Sequence, residues 1–192
     1  MAKDLDYINL NEKDQTVRVL RVAAGWDAKQ FDDETIDIDL SCFLLNKDGV
    51  TREDADFVFY NNLKSADMAV RHLGDNREGF GEGDDEAIIV DISNISYDIY
   101  KIVFVASIYL ADERKQDFTR VDNAFVRVVN EETEDEMARD DMTERFEDTR
   151  AVIFSELERV GSEWHFRKIH KPYKNGLKEI AEEYGCVIAS IG

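Results

Sequence analysis

Short apolar segments rich in β-branched and aromatic residues recur along the whole chain between turn signals, and this pattern constrains the fold more than any other feature. The segments are 17–26, 36–45, 56–60, 87–92, 101–110, 124–130, 151–160 and 164–169. Runs of this length and composition are typical of β-strands. Their number and spacing predict a mainly β fold, a two-sheet antiparallel β-sandwich.

The turns and the end of the chain add detail to this fold. Gly161-Ser162-Glu163 separates the last two segments and predicts a hairpin. A short C-terminal helix is expected where Leu177, Ile180, Ala181 and Tyr184 share one face and Gly185 offers the stop. A shorter helical turn is expected over Asp112–Gln116. The chain has 192 residues without a repeat or a Pro-rich linker, so we expect residues 1–192 to form a single domain.

The charge of the chain restricts its partners. The formal net charge is -19, with a pI near 4.5, and affinity for phosphate backbones and anionic lipids depends on Lys and Arg. We therefore expect neither direct nucleic-acid binding nor membrane insertion, and favour cations and basic proteins as partners. Cys42 and Cys186 lie in apolar runs and should be buried, free thiols. The start of the chain has no secretory leader pattern, so a cytoplasmic location is expected.

The sequence GDNREGFGEGDDE, residues 74–86, holds six carboxylates, four glycines and one arginine. Such a loop repels itself, so it is either a solvated connection or the cradle of a cation. Carboxylates, together with carbonyls exposed by flexible glycines, are the ligands that Ca²⁺ prefers. The loop is not an EF-hand, because Arg77 replaces an acid and Phe80 replaces the required glycine.

Two further acidic motifs extend this candidate site. In the segment 36–45, Asp37 and Asp39 point to the same side, about 7 Å apart. Asp27 ends the segment 17–26 and would join them if the strands formed by 17–26 and 36–45 were neighbours in one sheet. We expect these two strands to be neighbours.

Other chemistry is weakly represented. The histidines lack the spacing of a zinc site, and there is no P-loop, nucleophile elbow or dinucleotide motif. A carboxylate pair could serve a glycosidase, but crowded acids seldom separate two pKa values, so we do not expect an enzyme. Trp26 and Trp164 are expected in the core or on a sheet face. The segment 131–148, with ten acids and two arginines, predicts a solvated turn and an edge strand, and a protein-binding surface is the alternative.

Several motifs together resemble one protein family. They are GWDAK at 25–29, DIDLSCFLL at 37–45, DFVFYNNLKSAD at 56–67, VRHLGDNREGFGEGDDEAIIVDIS at 70–93, KIVFVASIY at 101–109 and NAFVRVVN at 123–130. In order and spacing they resemble the TerD family of tellurium-resistance and stress-response proteins, from residue 17 to residue 187. The first 16 residues depart from the Gly-rich opening of the family, which suggests a divergent member.

The resemblance implies a β-sandwich that binds Ca²⁺, with two ions held by the acidic motifs. Carried onto this chain, the implied metal ligands are Asp27, Asp37, Asp39, Asp75, Asn76, Gly79, Gly81, Asp84, Asp85 and Glu86, with the two glycines contributing carbonyls. Asn62, Ser65 and Asp67 are weaker candidates, because Met68 follows them where the family has glycine.

The resemblance also implies a function, which we hold as an expectation. It is that of a non-enzymatic Ca²⁺-binding stress protein, linked to tellurite resistance and to phage and colicin tolerance. Its implied partners are other Ter-family proteins, some of them membrane-associated. Two alternatives remain open: a Ca²⁺-dependent membrane-binding module of C2 type, and a hydrolase that uses the carboxylates.

Overall fold

The computed structural model describes residues 7–28, 36–74 and 83–187. The strands are β1 (Tyr7–Asn9), β2 (Val19–Ala28), β3 (Ile38–Leu45), β4 (Phe57–Val58), β5 (Val70–His72), β6 (Glu86–Asp91), β7 (Lys101–Ile108), β8 (Val121–Asn130), β9 (Glu136–Asp141), β10 (Ala151–Val160) and β11 (Glu163–Tyr173). The helices are α1 (Leu10–Lys13), α2 (Ala111–Arg114) and α3 (Leu177–Glu183), and Asp54–Asp56 and Phe118–Arg120 form 3₁₀ turns.

The strands of the described residues form two antiparallel sheets. The order is β1-β11-β10-β7-β3-β4 in one sheet and β5-β6-β2-β8-β9 in the other. The predicted sandwich is therefore confirmed, and every predicted apolar segment contains a strand. The acid-rich segment 131–148 contains β9, which lies at the edge of its sheet as expected. The predicted hairpin is β10–β11, with Val160 opposite Glu163 and Gly161 at φ +64°.

The expected adjacency of the strands in 17–26 and 36–45 is wrong. β2 lies between β6 and β8, whereas β3 lies between β7 and β4 in the other sheet. Each strand already has antiparallel partners on both sides, so neither has a free edge for the other. β2 and β3 thus belong to different sheets, as consecutive strands of a sandwich often do.

The main core lies between the sheets and consists of the inward side chains of both. Leu20, Leu40, Ile88, Phe104 and Phe166 are examples, each with at most 1% exposure. The predicted environment of the tryptophans is confirmed. Trp164 is buried in this core, and Trp26 packs against it.

A second apolar cluster covers the outer face of the six-stranded sheet. α3 places Leu177, Ile180 and Ala181 against Phe43 and Phe57, and these side chains leave water together. The helix ends as predicted at Gly185, whose φ of +81° suits glycine. The helical turn expected over Asp112–Gln116 is α2, which begins one residue earlier.

Both cysteines are free and buried, as predicted. Burial raises the pKa of the Cys42 and Cys186 thiols above the ordinary value. Both therefore stay protonated and behave as small apolar groups. No helix within the described ranges is both long enough and apolar enough to cross a bilayer.

Candidate functional site

Most of the predicted acidic residues lie at one end of the sandwich. At this end β2 and β5 finish, and β3 and β6 begin. We call it the acidic end; the predicted ligands described there are Asp27, Asp37, Asp39, Asp84, Asp85 and Glu86, and Asp122 of β8 lies opposite Asp27. The antiparallel order of β5, β6 and β2 brings these termini together, although they are distant in sequence.

Gly25 allows the acidic loop to return closely onto β2. A Cβ atom at this position would lie 2.0 Å from the carbonyl oxygen of Gly83 and 2.6 Å from the ring of Phe125. No side chain fits there, so the glycine of the GWD motif is required by a close backbone approach. The Asp85 amide completes the contact by donating to the Ala24 carbonyl at 2.8 Å.

Beside this contact, β2 contains a bulge that aims Asp27. The register with β8 shifts between Gly25 and Asp27, and a bulge redirects the side chains that follow it. The exposed Asp27 carboxylate accepts a hydrogen bond from the Asn123 amide of β8 at 2.7 Å.

Asp85 lies next to Asp27 at the bulge. Its Oδ2 accepts the backbone N–H of Trp26 at 2.8 Å, which places this carboxylate against the residue that precedes Asp27. Burial raises the pKa of Asp85, the Trp26 N–H lowers it, and the negative charges of Asp27 and Asp84 raise it further; the net shift is upward. Two carboxylates therefore repel each other across this corner.

Asp84 is buried and paired. Nε and Nη2 of Arg127 donate to its two carboxylate oxygens at 2.9 and 2.6 Å, and the Asp84 side chain has no exposed surface. This fork geometry satisfies both partners, which a buried carboxylate needs. Hydrogen bonding to Asp84 raises the pKa of Arg127, which keeps the guanidinium charged.

Glu86 connects the two sheets. Its Oε2 accepts the backbone N–H of Leu40 in β3 at 2.6 Å. His72 of β5 lies 2.9 Å from the Leu40 carbonyl through Nε2, and its Nδ1 accepts the N–H of Gly74 at 2.9 Å. The accepting Nδ1 leaves the proton on Nε2, which donates to Leu40. Glu86 and His72 of the five-stranded sheet thus satisfy the backbone N–H and carbonyl of Leu40. The neighbouring strand β4 has only two residues and does not extend to Leu40.

Asp37 and Asp39 lie where β3 begins, on the outer side of its sheet. With Tyr60 and Tyr109 they line one concave surface, and the two tyrosine rings meet edge to face at 6.0 Å. The Asp37 carbonyl accepts the Tyr109 N–H at 2.8 Å. The pair therefore shares the acidic end with Asp27 and Asp85 but belongs to the other sheet.

The predicted ligands Asp75, Asn76, Gly79 and Gly81 lie outside the described residues. Within the described residues, no three His, Cys, Asp or Glu side chains come together closely enough to hold a metal ion. The assignment of metal ligands at the acidic end thus stays a prediction.

Of the weaker candidates, Ser65 and Asp67 lie at the opposite end of the sandwich, where β5 begins, whereas Asn62 lies in the turn beyond β4, paired with Phe59. The Ser65 hydroxyl and the Ala69 N–H donate to the Asp67 carboxylate at 2.6 and 3.0 Å, and the Asn62 amide donates to the Phe57 carbonyl. Met68 has a φ of +60°. Met68 thus has a left-handed conformation, which glycine adopts without strain and other residues adopt at a cost.

Sequence reasoning missed three residues that organise the acidic end: Arg127, His72 and Asn123. A signal existed only for Arg127, which is a lone charge in the apolar run NAFVRVVN. The partners of His72 and Asn123 come from other strands, and no local pattern connects them.

Comparisons with known proteins agree with this architecture. A family model described as the TerD domain matches residues 2–184. Tellurium resistance protein TerD of Alcaligenes sp is 42% identical over 178 residues, 93% of each chain. General stress protein 16U of Bacillus subtilis is 42% identical over 182 residues, 94% of each chain.

A solved structure shows the same fold at lower identity. It is a homologue of telluride resistance protein (TerD) from Streptomyces coelicolor, with a TM-score of 0.65 and 21% identity, covering 89% of this chain and 99% of that chain. From the family model and these relatives, the chain belongs to the TerD domain family.

Proposed function

We propose that this TerD-family chain is a non-enzymatic stress protein that binds Ca²⁺ at its acidic end. Its similarity to a tellurium resistance protein and to a general stress protein, each over more than nine-tenths of both chains, supports a role in tellurite resistance and the stress response. Tolerance of phage and colicins belongs to the same proposal through the family resemblance.

The observation that carries the proposal is the meeting of Asp27 and Asp85 at the β2 bulge. The Trp26 N–H holds the Asp85 carboxylate beside Asp27, and the two negative charges repel each other. Folding keeps them together through the Gly25–Gly83 contact and the Asp85–Ala24 hydrogen bond. A cation at this corner removes the repulsion, which is the physical reason to expect one.

The donor chemistry fits a hard divalent ion. Asp27 and Asp85 form one carboxylate pair, and Asp37 and Asp39 form a second pair on the other sheet. Carboxylate and carbonyl oxygens suit Ca²⁺, which accepts more ligands and less regular geometry than Mg²⁺. In this proposal the remaining ligands come from the loop, and the expected ones are Asp75, Asn76, Gly79 and Gly81.

Asp84 and Glu86 have a supporting part in this proposal. Asp84 is held by Arg127, and Glu86 holds the start of β3 through Leu40. Both flank Asp85 in sequence, so they fix the position at which the loop rejoins β6. Outer contacts of this kind orient metal ligands and tune the affinity of a site.

Ca²⁺ when bound would neutralise the carboxylates and order the acidic end, and binding of this kind stabilises the folded state. We propose that the ordered surface then associates with other Ter-family proteins, including membrane-associated ones. Calcium-dependent crosslinking to such partners tests this step. Sedimentation with anionic vesicles that depends on Ca²⁺ would instead favour the C2-type alternative.

The direct test is calorimetric titration of chelator-treated protein with Ca²⁺ and then with Mg²⁺. The wild-type chain should bind Ca²⁺ selectively, and the Asp27→Asn/Asp85→Asn variant should lose that binding. Asp48→Asn/Asp98→Asn is the matched control, because it removes the same charge at exposed positions and should bind like wild type. Equal Ca²⁺ affinity of the two variants would reject the Asp27–Asp85 corner as the site.

A further inference from the structure

His170 joins the two sheets at a position remote in sequence from the acidic motifs. It lies in β11 of the six-stranded sheet, and its ring contacts two carboxylates associated with the other sheet. Nε2 lies 2.6 Å from Oδ2 of Asp140 in β9, and Nδ1 lies 2.9 Å from Oε1 of Glu144, which follows β9. Asp140 is almost fully buried, at 1% exposure.

This geometry determines the protonation of the ring. Ionised carboxylates accept hydrogen bonds but cannot donate them, so each ring nitrogen must carry a proton. His170 can therefore donate to both carboxylates only as an imidazolium, with two charge-assisted hydrogen bonds. His72 differs from His170 in geometry, because its Nδ1 accepts a backbone N–H; burial lowers the pKa of His72 and Glu86 raises it, with a net upward shift.

The surrounding charges act in the same direction. Burial lowers the pKa of His170, but the hydrogen bonds and charges of Glu144 and Asp140 outweigh it and raise the pKa above the ordinary value. Lys168, two residues earlier in β11, lies 3.3 Å from the other oxygen of Asp140. A neutral ring keeps a single N–H, and the buried Asp140 requires that donor more than Glu144, whose side chain is 51% exposed, so the Glu144 contact is the one that is lost.

The backbone is also adapted to this contact. The β10–β11 register shifts so that Ile169 and His170 lie opposite Phe154 alone, which is a bulge that redirects side chains. His170 has a φ of +54°, a left-handed conformation that is strained for a residue with a side chain. The contacts of the ring hold this conformation in place.

The segment tethered by Glu144 lies between two anchors. The Met142 N–H donates to the Ala124 carbonyl at 2.8 Å, and the Asp148 N–H donates to Asp117 at 3.2 Å. Residues 142–146 form one wall of a cavity of about 290 Å³, and residues 118 and 121–124 form the other wall. That second wall includes Asn123, which donates to Asp27.

We propose that His170 is a proton-operated latch, which holds the segment 142–148 closed when its ring is protonated and releases it when the ring is neutral. Because the folded pKa is raised, the latch is fully closed below the unfolded value of about 6.5 and opens as the pH rises through the folded value. Opening loosens one wall of the cavity beside Asn123. This inference is independent of the proposed Ca²⁺ binding.

The test combines two measurements on the full chain between pH 5.5 and pH 9. Side-chain NMR should show His170 titrating above about 6.5, and Glu144→Gln should lower that value. Amide protection of residues 143–147, corrected for intrinsic exchange at each pH, should fall as the pH rises. The expected total fall is about tenfold for each unit by which the pKa of His170 in the closed segment exceeds its pKa in the released one.

Two variants complete the test. His170→Asn keeps a residue that tolerates left-handed backbone and should make the protection of 143–147 low and independent of pH. His165→Asn, in the same strand, should leave both measurements on His170 unchanged. A wild-type His170 that titrates at or below the ordinary value, or protection of 143–147 that does not change with pH, would overturn the proposal.

Discussion

Asp85 at the acidic end and Asp67 at the opposite end both lie in loops of the five-stranded sheet, yet their surroundings displace their pKa values in opposite directions. Burial raises the pKa of both. Around Asp67, donors from Ser65, Ala69 and Ser96 outweigh burial and lower the pKa. Around Asp85, burial and the negative charges of Asp27 and Asp84 outweigh the Trp26 N–H, which is the one donor among the described residues, and the pKa rises.

Asp91 repeats the arrangement of Asp67. Burial raises its pKa, but donors from Ser93 and Asn94 outweigh that and lower it. The acids of the opposite end thus cap turns of the backbone, whereas Asp85 and Asp27 repel each other across a corner. In a chain with 43 acidic residues, the count of carboxylates does not identify a site. The donors around each carboxylate do.

The largest expected effect comes from replacing Arg127, the arginine that pairs with Asp84 at the acidic end. Arg127→Met removes the two-pronged ion pair of the buried Asp84 and should lower the free energy of unfolding by about 3–5 kcal/mol. Arg139→Met, which breaks ion pairs of a more exposed arginine, should cost less than about 1 kcal/mol. Urea unfolding of both variants compares them, and equal losses would contradict the special position of Asp84.

A second test affects the loop contact that brings Asp85 to β2. Gly25→Ala places a methyl group where the Gly83 carbonyl oxygen lies, and overpacking of this kind should cost about 1–3 kcal/mol. Thermal unfolding measures the loss. An unchanged melting temperature would show that the loop can retreat from β2, and the corner would then not be held rigidly.

Matched substitutions at the two ends should change stability in opposite directions without Ca²⁺. Asp85→Asn keeps an acceptor for the Trp26 N–H and removes the repulsion, so it should stabilise. Asp67→Asn weakens the bonds from Ser65 and Ala69, so it should destabilise. Both carboxylates are partly exposed, and each change should stay within about 1 kcal/mol. Shifts of the same sign in calorimetry would remove the basis of the comparison.

The pH dependence should separate the two ends as well. Asp67 and Asp91 have lowered folded pKa values, so their stabilisation is present above pH 3.8 and is lost as the pH falls through the folded values. Asp85 has a raised pKa, so its contribution becomes more favourable as the pH falls toward 3.8. The stability of wild type minus that of Asp85→Asn should therefore rise on acidification, and a constant difference would argue against the shift.

The smallest effect concerns Met68 at the opposite end. Met68→Gly relieves a left-handed backbone at a residue that is 57% exposed. The relief is partly offset by the greater flexibility of glycine, so the gain should not exceed about 1 kcal/mol. A clear loss of stability would show that the Met68 side chain contributes packing that outweighs its strain.

The fold could be predicted well from the sequence, because the strands of a sandwich that line its core contain alternating or continuous apolar residues. β10 and β11, with the turn at Gly161, could be predicted within a few residues. β5 could not, because it has three residues, and β9 was predicted only as an edge strand within 131–148, because its acid-rich sequence does not mark its bounds. Strand order could not be predicted either, because nothing in the sequences of β2 and β3 indicates which sheet each strand joins.

For the candidate site, the sequence identified the acidic residues but not the residues that pair with them. Asp27 and Asp85 stand in dense local motifs, so the sequence alone singled them out. The pairing of Asp84 with Arg127, and the bridge from Glu86 to Leu40, depend on strands 40 or more residues apart. Such contacts follow from strand order, which the sequence did not provide.

The central claim is that the acidic end is a cation site and the opposite end is not. The most direct measurement is the titration of the aspartate carboxyl carbons by NMR, with and without saturating Ca²⁺. The account predicts that Ca²⁺ lowers the pKa of Asp85 from above its ordinary value to below it, while the pKa of Asp67 and of Asp91 stays where it was. An Asp85 pKa that Ca²⁺ leaves unchanged would contradict the claim.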